Sequence, residues 1–264
     1  MSLFLETAEE AARGAGRLIL AHLNEKHQVE NKSTFDFVTE VDRLSEDFIR
    51  SYILERFPDH HFFGEEQVSA LGADESTLIE AFEGYTWVVD PVDGTTNFIR
   101  TIPQFAVSIG LVKDKELIVG AIYDPMRDEL FSAEKGAGAF LNGKPMHVST
   151  VREPEKCILG CGFPATDMKK RTETMAKMQS LGMHLGSIRL YNCAAILLSY
   201  VACGRIDASF EQGIHLWDMA AGVLLIREAG GEVTDLDGSP FQLTGTQYRA
   251  ANPDLLKALQ PYYD

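Results

Sequence analysis

The stretch TWVVDPVDGTTNF, Thr86 to Phe98, changes from an apolar pattern to a polar one within a few residues. It opens with a Trp-Val-Val run, which is typical of a buried β-strand, and then places Asp90 and Asp93 on either side of a Pro-Val pair. A buried carboxylate is costly unless it is paired or binds a ligand. The stretch therefore predicts a strand that ends at a site where negative charge is used.

The composition is that of an ordinary globular protein with a strong acidic bias. The 264 residues are 45% hydrophobic and 24% charged, and the formal net charge is -15. A nucleic acid or an anionic membrane would require a basic face, so we expect neither as a partner. The same acidity suits the binding of cations.

No targeting signal is recognisable in the sequence. The first residues lack a basic segment followed by an apolar core, and no run of about 18 apolar residues occurs. We therefore expect a cytoplasmic protein that is neither secreted nor inserted into a membrane. The four cysteines contain no CxxC pair, which favours reduced thiols in the core.

Hydrophobic periodicity predicts mixed helices and strands. A helix covers roughly the first two dozen residues, and a second ends near Phe57-Pro58. From Thr86 to about Ser149 the pattern is that of strands, with a hairpin signal at Asn142-Gly143. Later strands are expected at CILGCG, DASF and 231–235, and later helices over 167–181, 194–203 and 218–229. We expect two sheet-plus-helix halves, residues 1–145 and 146–264, packed together as one structural unit.

Acidic residues recur at the edges of the predicted elements. They are Asp36 and Asp42 in KSTFDFVTEVD, Glu65 and Glu66 in FFGEE, Asp90 and Asp93, and Asp218 in GIHLWD. Singly, each would be interpreted as a helix cap or a solvated turn; in FFGEE we expect the glycine to let the backbone turn. Together, and without His or Cys ligands, they predict an oxygen site for Mg²⁺ or Mn²⁺ rather than zinc.

The polar end of the opening stretch also predicts an anion site. A short helix starting at Gly94, Thr95 and Thr96 would direct free backbone N–H groups at a phosphate. Mg²⁺ ions beside it would neutralise a phosphate monoester and lower the pKa of a water molecule. Two residues separate Asp90 and Asp93, whereas a single residue separates the aspartates in the D-x-D-G-T pattern of haloacid-dehalogenase-like phosphatases. We therefore expect no phospho-aspartyl intermediate.

Several segments together resemble the inositol monophosphatase family of Mg²⁺-dependent, lithium-sensitive phosphatases. They are DPVDGTTNF, GEE after an apolar pair, KSTFDFVTEVD, GIHLWDMAAGVLLIREAGG and YDPMRDELFSAEKGAGAFLNG, and the resemblance extends along essentially the whole chain. It implies a layered α/β/α/β/α sandwich, two or three bound metal ions and a homodimer.

The resemblance also implies roles for individual residues. The residues that match the metal ligands are Glu65, Asp90, the main-chain carbonyl of Val92, Asp93 and Asp218. Asp42 and Thr95 match the pair that orients the attacking water, and Lys32 matches a lysine close to it. The phosphate-binding amides match Gly94 and Thr95, and the substrate side matches Glu211 and Ala194 beside Asp93 and Asp218.

One departure from the family pattern leaves the substrate open. Many members have Arg-x-x-Gly-Ser-Ala-Ala before the buried helix, whereas this chain has Asn192-Cys193 in place of Gly-Ser. Because EQGIHLWD is close to inositol-specific members, we expect hydrolysis of inositol 1-phosphate. The alternatives are fructose 1,6-bisphosphate, NADP, histidinol phosphate or 3′-phosphoadenosine 5′-phosphate as substrate, or a non-catalytic regulatory binding protein.

Overall fold

The computed structural model describes residues 2–33, 36–164 and 167–263. Thr34 and Phe35 of the KSTFDFVTEVD stretch lie outside the described residues. The α-helices are α1 (Leu3–His22), α2 (Glu40–Arg56), α3 (Glu65–Leu71), α4 (Glu75–Glu80), α5 (Thr95–Ile99), α6 (Met168–Gly182), α7 (Ala194–Ala202), α8 (Leu216–Glu228) and α9 (Pro253–Leu259). The strands are β1 (Glu30–Asn31), β2 (Phe37–Val38), β3 (His61–Gly64), β4 (Tyr85–Asp93), β5 (Ala106–Lys113), β6 (Glu116–Asp124), β7 (Glu129–Glu134), β8 (Gly138–Leu141), β9 (Lys144–Pro145), β10 (Ile158–Cys161), β11 (Ser187–Leu190), β12 (Ala208–Gln212), β13 (Glu232–Thr234) and β14 (Gln247–Ala251).

Two large sheets organise the chain. The first has the order β3-β4-β5-β6-β7-β8-β9, with β3 parallel to β4 and every later neighbour antiparallel. The second has the order β11-β10-β12-β14-β13, with β10 parallel to both of its neighbours. Its other two pairings, β12 with β14 and β14 with β13, are antiparallel.

Strand β4 shows how the first sheet is covered on both faces. Trp87 and Val89 pack in the core that α1 and α2 share with the sheet, whereas Val88 packs in the core formed with α7 and α8. Alternate side chains of a strand point to opposite faces, so the continuous apolar run reflects burial on both sides. Helices α7 and α8 lie between the sheets, and α6 and α9 cover the outer face of the second sheet. The expected α/β/α/β/α sandwich is confirmed.

The central helix α8 lies very close to the first sheet. Where it crosses β5 and β6, the strands carry Gly110 and Gly120. A Cβ at Gly120 would lie 2.7 Å from the main-chain oxygen of Ala221, and one at Gly110 would lie 3.0 Å from Cβ of Ala220. Because Gly110 and Gly120 have no side chain, α8 can approach the sheet this closely.

The predicted segments mostly coincide with observed elements. The first helix ends at His22 and the second at Arg56, and Asn142 and Gly143 form the turn between β8 and β9. The division at residue 145 stays a prediction: the first sheet uses strands up to Pro145, and the second begins at Ile158. None of the described helices combines the length and the apolar composition needed to cross a bilayer.

Candidate functional site

A β-bulge at the end of β4 explains how two of its carboxylates reach the same site. Asp90 lies opposite Ser108 of β5, but Asp93 lies opposite Ala106, so three steps along β4 match two steps along β5. In a regular strand, residues three apart point to opposite faces. The extra residue of the bulge brings both side chains to one site, where their carboxylate oxygens lie within 4.8 Å of each other and of an Asp218 oxygen.

Asp218 reaches this site from the first turn of α8. Its Oδ2 accepts a hydrogen bond from the main-chain N–H of His215 at 2.7 Å. The His215 ring stacks on Trp217 with ring centroids 4.6 Å apart, and its Nδ1 lies 2.6 Å from Oε2 of Glu75. Through these contacts His215 helps to orient the Asp218 segment.

Glu65 is placed by the pairing of two parallel strands. Gly64, the last residue of β3, lies opposite Val89 of β4, so Glu65 emerges beside Asp90. The ammonium group of Lys32 lies 2.8 Å from Oε1 of Glu65 and 2.6 Å from Oε1 of Glu66. Lys32 is thus a partner of the carboxylates in this structure.

Asp42 and Thr95, the pair expected to orient a water, are hydrogen-bonded to each other. The Thr95 hydroxyl lies 2.8 Å from Oδ1 of Asp42 and 3.1 Å from the main-chain oxygen of Val92. The other oxygen of Asp42 accepts from the main-chain N–H of Thr39 at 2.9 Å and from its hydroxyl at 2.5 Å. Both oxygens of the buried Asp42 carboxylate are therefore held in fixed directions.

The short helix α5 follows directly on the bulge. It begins at Thr95 after Gly94, which has φ 92°, a backbone conformation that side chains disfavour. A Cβ at Gly94 would also lie 2.9 Å from the main-chain oxygen of Gln104. Glycine is required here for both reasons, and it allows the chain to enter the helix immediately after Asp93.

A cavity of about 810 Å³ brings the predicted residues together. Its lining includes Lys32, Asp36, Glu65, Asp90, Val92, Asp93, Gly94, Thr95, Ala194, Glu211 and Asp218. Asp42 does not line the cavity and lies one hydrogen bond behind Thr95. Glu211 is buried rather than at the surface, and it lies on the face of β12 opposite Phe210, which packs towards α6 and α9.

The electrostatics of the cluster favour a cation. Burial, together with Glu65, Asp93 and Asp218, raises the pKa of Asp90 well above its ordinary value. Burial also raises the pKa of Asp93 to about 6 and that of Asp218 to about 7. Burial opposes the charge on Lys32, but Glu65 and Glu66 outweigh it and raise the Lys32 pKa. The carboxylates therefore repel one another despite this lysine.

The donor set fits a hard divalent cation. The cluster of Asp90, Asp93 and Asp218 offers carboxylate oxygens and contains neither His nor Cys, which suits Mg²⁺ or Mn²⁺ better than zinc. The nearby Cys193 thiol donates to the main-chain oxygen of Asp93 at 3.4 Å, and burial raises its pKa well above the ordinary value. It stays protonated and packs in the core, as expected for the reduced cysteines of this chain.

The Asn192-Cys193 segment is tied to the cluster. Asn192 has φ 51°, in the left-handed region that glycine and asparagine adopt most readily. Asparagine can therefore keep the backbone shape where many members of the resembled family have glycine. Three residues after Asn192, the N–H of Ala195 donates to Oδ2 of Asp93 at 2.5 Å, so the shape of this segment directly affects a carboxylate of the cluster.

Some supporting residues were not predicted from the sequence. Glu46 and Glu75 accept hydrogen bonds from first-turn amides of α3 and α8, and the Asn97 side chain donates to the main-chain oxygens of Gln104 and Tyr191. A signal for Glu46 existed, because it falls four residues after Asp42 on the apolar face of α2. The role expected for Gly64 is wrong: its φ of -102° is ordinary extended backbone.

Comparisons with known proteins point to one family. A sequence model of the inositol monophosphatase family matches residues 1–262. The chain is 42% identical over 257 residues to inositol monophosphatase 3 of Solanum lycopersicum, covering 97% of this chain and 94% of that protein. It is 41% identical over 262 residues to Nus factor SuhB of Escherichia coli (strain K12), covering 98% and 95%. The crystal structure of extragenic suppressor protein SuhB from Bartonella henselae matches with a TM-score of 0.90 at 34% identity, covering 100% of this chain and 99% of that one.

Proposed function

Because the chain belongs to the inositol monophosphatase family, we propose that it is a Mg²⁺-dependent phosphomonoesterase that hydrolyses inositol 1-phosphate to inositol and phosphate. The observation that carries the proposal is the cluster of the buried Asp90 and Asp93 and the half-buried Asp218, in a cavity that also contains Glu211. The carboxylates supply a metal site, and the remaining space accommodates a polar ring.

We assign two or three metal ions to the ligands Glu65, Asp90, the main-chain oxygen of Val92, Asp93 and Asp218. Mg²⁺ bound there would neutralise the phosphate oxygens, lower the pKa of a water molecule and stabilise the departing alkoxide. The chain's own contribution is the fixed direction of these ligands. Asp93 is held by Ala195 and Asp218 by His215, each through a main-chain N–H.

The pair of Asp42 and Thr95 is assigned to the attacking water. When the Thr95 hydroxyl donates to Asp42 at 2.8 Å, its oxygen lone pairs remain available to accept a hydrogen bond from a water in the cavity. This arrangement aligns the water and gives its proton a route towards the carboxylate. The main-chain N–H groups of Gly94 and Thr95, at the start of α5, are assigned to the phosphate oxygens.

The leaving group is assigned to the part of the cavity formed by the second sheet and α7. Glu211 would accept hydrogen bonds from neighbouring hydroxyls of the inositol ring. Ala194, the first residue of α7, has a small side chain that leaves room for that ring. A ring with hydroxyl donors fits this carboxylate better than an anionic one does.

The test is a comparison of turnover across phosphate esters with and without metal. After treatment with chelator we expect activity to vanish, and added Mg²⁺ should restore it, with Mn²⁺ as a possible substitute. Inositol 1-phosphate should be turned over faster than fructose 1,6-bisphosphate, NADP, histidinol phosphate or 3′-phosphoadenosine 5′-phosphate. Full activity in the metal-free protein would exclude the metal mechanism, whereas a preference for another ester would exclude only the substrate.

Lithium inhibition provides an independent test. A small monovalent ion can occupy a Mg²⁺ site without supplying its charge, so Li⁺ should inhibit hydrolysis of inositol 1-phosphate. Na⁺ at the same ionic strength serves as the control. Indifference to Li⁺ would argue against similarity to the inositol enzymes in the metal site itself.

A regulatory binding role is a second candidate, favoured by the relative named Nus factor SuhB at 41% identity. The complete set of proposed metal ligands supports catalysis in this chain, and a binding role would not require it. A protein that binds partners but hydrolyses none of the esters would favour the second candidate.

We also propose that the chain forms a homodimer, which light scattering should detect as twice the mass of the chain.

A further inference from the structure

Glu46 is a buried carboxylate that links helix α2 to helix α3. Glu46 is 6% exposed and lies one helical turn after Asp42, on the same face of α2. Its two oxygens accept hydrogen bonds from the main-chain N–H groups of Glu66 at 2.8 Å and Gln67 at 2.9 Å. These amides belong to the first turn of α3, where N–H groups have no partner within the helix.

Helix α3 has no cap of its own. Its N-cap residue is Gly64, which has no side chain to accept from the first turn. A Cβ at Gly64 would overlap the carboxylate of Glu46. Glycine at this position therefore leaves the space that Glu46 occupies, and the capping group comes from a different helix.

The capped turn contains Glu65, the first residue of α3. We propose that Glu46 is a positioning residue: by holding the N–H groups of Glu66 and Gln67, it fixes the direction in which Glu65 presents its carboxylate to the metal cluster. The inference rests on the proposed function, in which Glu65 is a metal ligand. The ammonium group of Lys32 lies 2.8 Å from Oε1 of Glu65. Lys32 therefore fixes the side chain of Glu65, whereas Glu46 fixes the backbone of the turn that carries it.

The variant Glu46→Gln tests this role with little change in volume. An amide retains one acceptor oxygen but turns an NH₂ group towards the second backbone N–H, so the cap is half lost. We expect the dissociation constant for Mg²⁺, measured by calorimetry, to rise roughly tenfold to a hundredfold. The Mg²⁺ concentration for half-maximal activity should rise equally, and kcat at saturating Mg²⁺ should recover to near the wild-type value.

Asn252→Ala is the matched control, because it removes a buried helix cap remote from the cluster. Asn252 is 8% exposed, and its Oδ1 accepts from the N–H of Leu255 in α9 on the outer layer. We expect this variant to unfold at lower urea concentration with its Mg²⁺ affinity unchanged. If it weakens Mg²⁺ binding as much as Glu46→Gln does, a general loss of stability explains both and the proposal is wrong.

The proposal is also overturned if Glu46→Gln binds Mg²⁺ as tightly as the wild type. Should that variant not fold, Glu46→Asp keeps the charge with a shorter reach, and an unchanged Mg²⁺ affinity in Glu46→Asp likewise overturns the proposal. Failure of the proposed function is visible separately, in wild-type protein that binds no Mg²⁺ or hydrolyses esters in chelator.

Discussion

At the scale of single residues, Asp93 and Asp218 each combine a charge with a structural hydrogen bond. Asp93 accepts from Ala195, and Asp218 accepts from His215. An asparagine in either place nearly preserves the volume and can still accept that bond, but it removes the charge. We therefore expect Asp93→Asn and Asp218→Asn to fold normally and to lose several orders of magnitude in kcat, on the scale of a metal's contribution.

Steady-state kinetics at saturating Mg²⁺, together with urea unfolding in chelator, measure the two effects. Relief of carboxylate repulsion should leave the metal-free variants at least as stable as the metal-free wild type. A variant that keeps near-normal turnover shows that the substituted residue is not a ligand.

Glu211 permits a prediction about substrate. We expect Glu211→Gln to lower kcat/KM for inositol 1-phosphate by roughly tenfold to a hundredfold, the effect of one charge-assisted hydrogen bond. Hydrolysis of glycerol 2-phosphate, which has no ring, should change much less. Measuring both esters on both proteins separates the possibilities, because an equal fall would assign Glu211 to the metal site or the fold.

Residue identity predicted the cluster from the sequence, but it did not predict what holds the cluster in place. Asp90, Asp93 and Asp218 were recognisable because carboxylates at element ends are unusual in combination. Glu46 was not singled out, although it follows Asp42 by one helical turn, because its partners are backbone amides of another helix. Gly64 was assigned a backbone role, although the space it leaves for Glu46 is what requires a glycine.

At the scale of elements, the segment before α7 depends on one left-handed residue. Asn192 has φ 51°, which costs an ordinary side chain about 1 to 2 kcal/mol. We expect Asn192→Ala to lower the free energy of unfolding by that order and to raise KM, because the segment carries Ala195 to Asp93. Asn192→Gly is the control, and its free energy of unfolding and its KM should stay close to those of the wild type. If the alanine and glycine variants are equally stable, the left-handed backbone at this position does not matter.

Elements with a strong periodic pattern were predicted well, and some short ones, such as β10, β12 and β13, were predicted too. Helices α1, α2 and α7 have long apolar faces, and their limits agree with the predictions to within a few residues. Strands β11 and β14 were not predicted, because their sequences carry no clear strand pattern and they are stabilised by pairing with strands distant in sequence. The bulge in β4 was not predicted either, because it is defined by the pairing of β4 with β5.

At the scale of the whole molecule, the carboxylates in and behind the cavity make the stability of the metal-free protein depend on pH. Burial raises the pKa of Asp42 to about 6, of Asp93 to about 6 and of Asp218 to about 7. Because these values exceed those of free Asp, the folded state binds more protons than the unfolded state between about pH 4 and about pH 7. The contribution of these groups to stability is therefore present at the acid end and is lost as the pH rises through that window.

Urea unfolding in chelator at about pH 5 and about pH 8 tests this dependence. We expect the metal-free protein to be less stable at the higher pH. Saturating Mg²⁺ should reverse the loss, because a ligand at 100 times its dissociation constant adds about 2.7 kcal/mol. A metal-free protein that gains stability between these pH values would show that other groups dominate.

The layered architecture followed from the family resemblance and was beyond the reach of periodicity alone. Periodicity indicated two sheets with helices, but it did not indicate that α7 and α8 lie between them. That arrangement requires the first sheet to be apolar on both faces, as Val88 and Val89 of β4 show. The cavity collects its residues from both sheets and the middle layer, so no single segment contains it.

The close approach of α8 to Gly110 and Gly120 has a genetic consequence. A side chain at either strand position would push against Ala220 or Ala221, which follow Asp218 in the same helix. In a random library screened for lost phosphatase activity among folded, well-expressed clones, substitutions at these glycines should therefore appear alongside those at the carboxylates. Such a map of loss-of-function alleles would include β5 and β6 positions that contact no substrate.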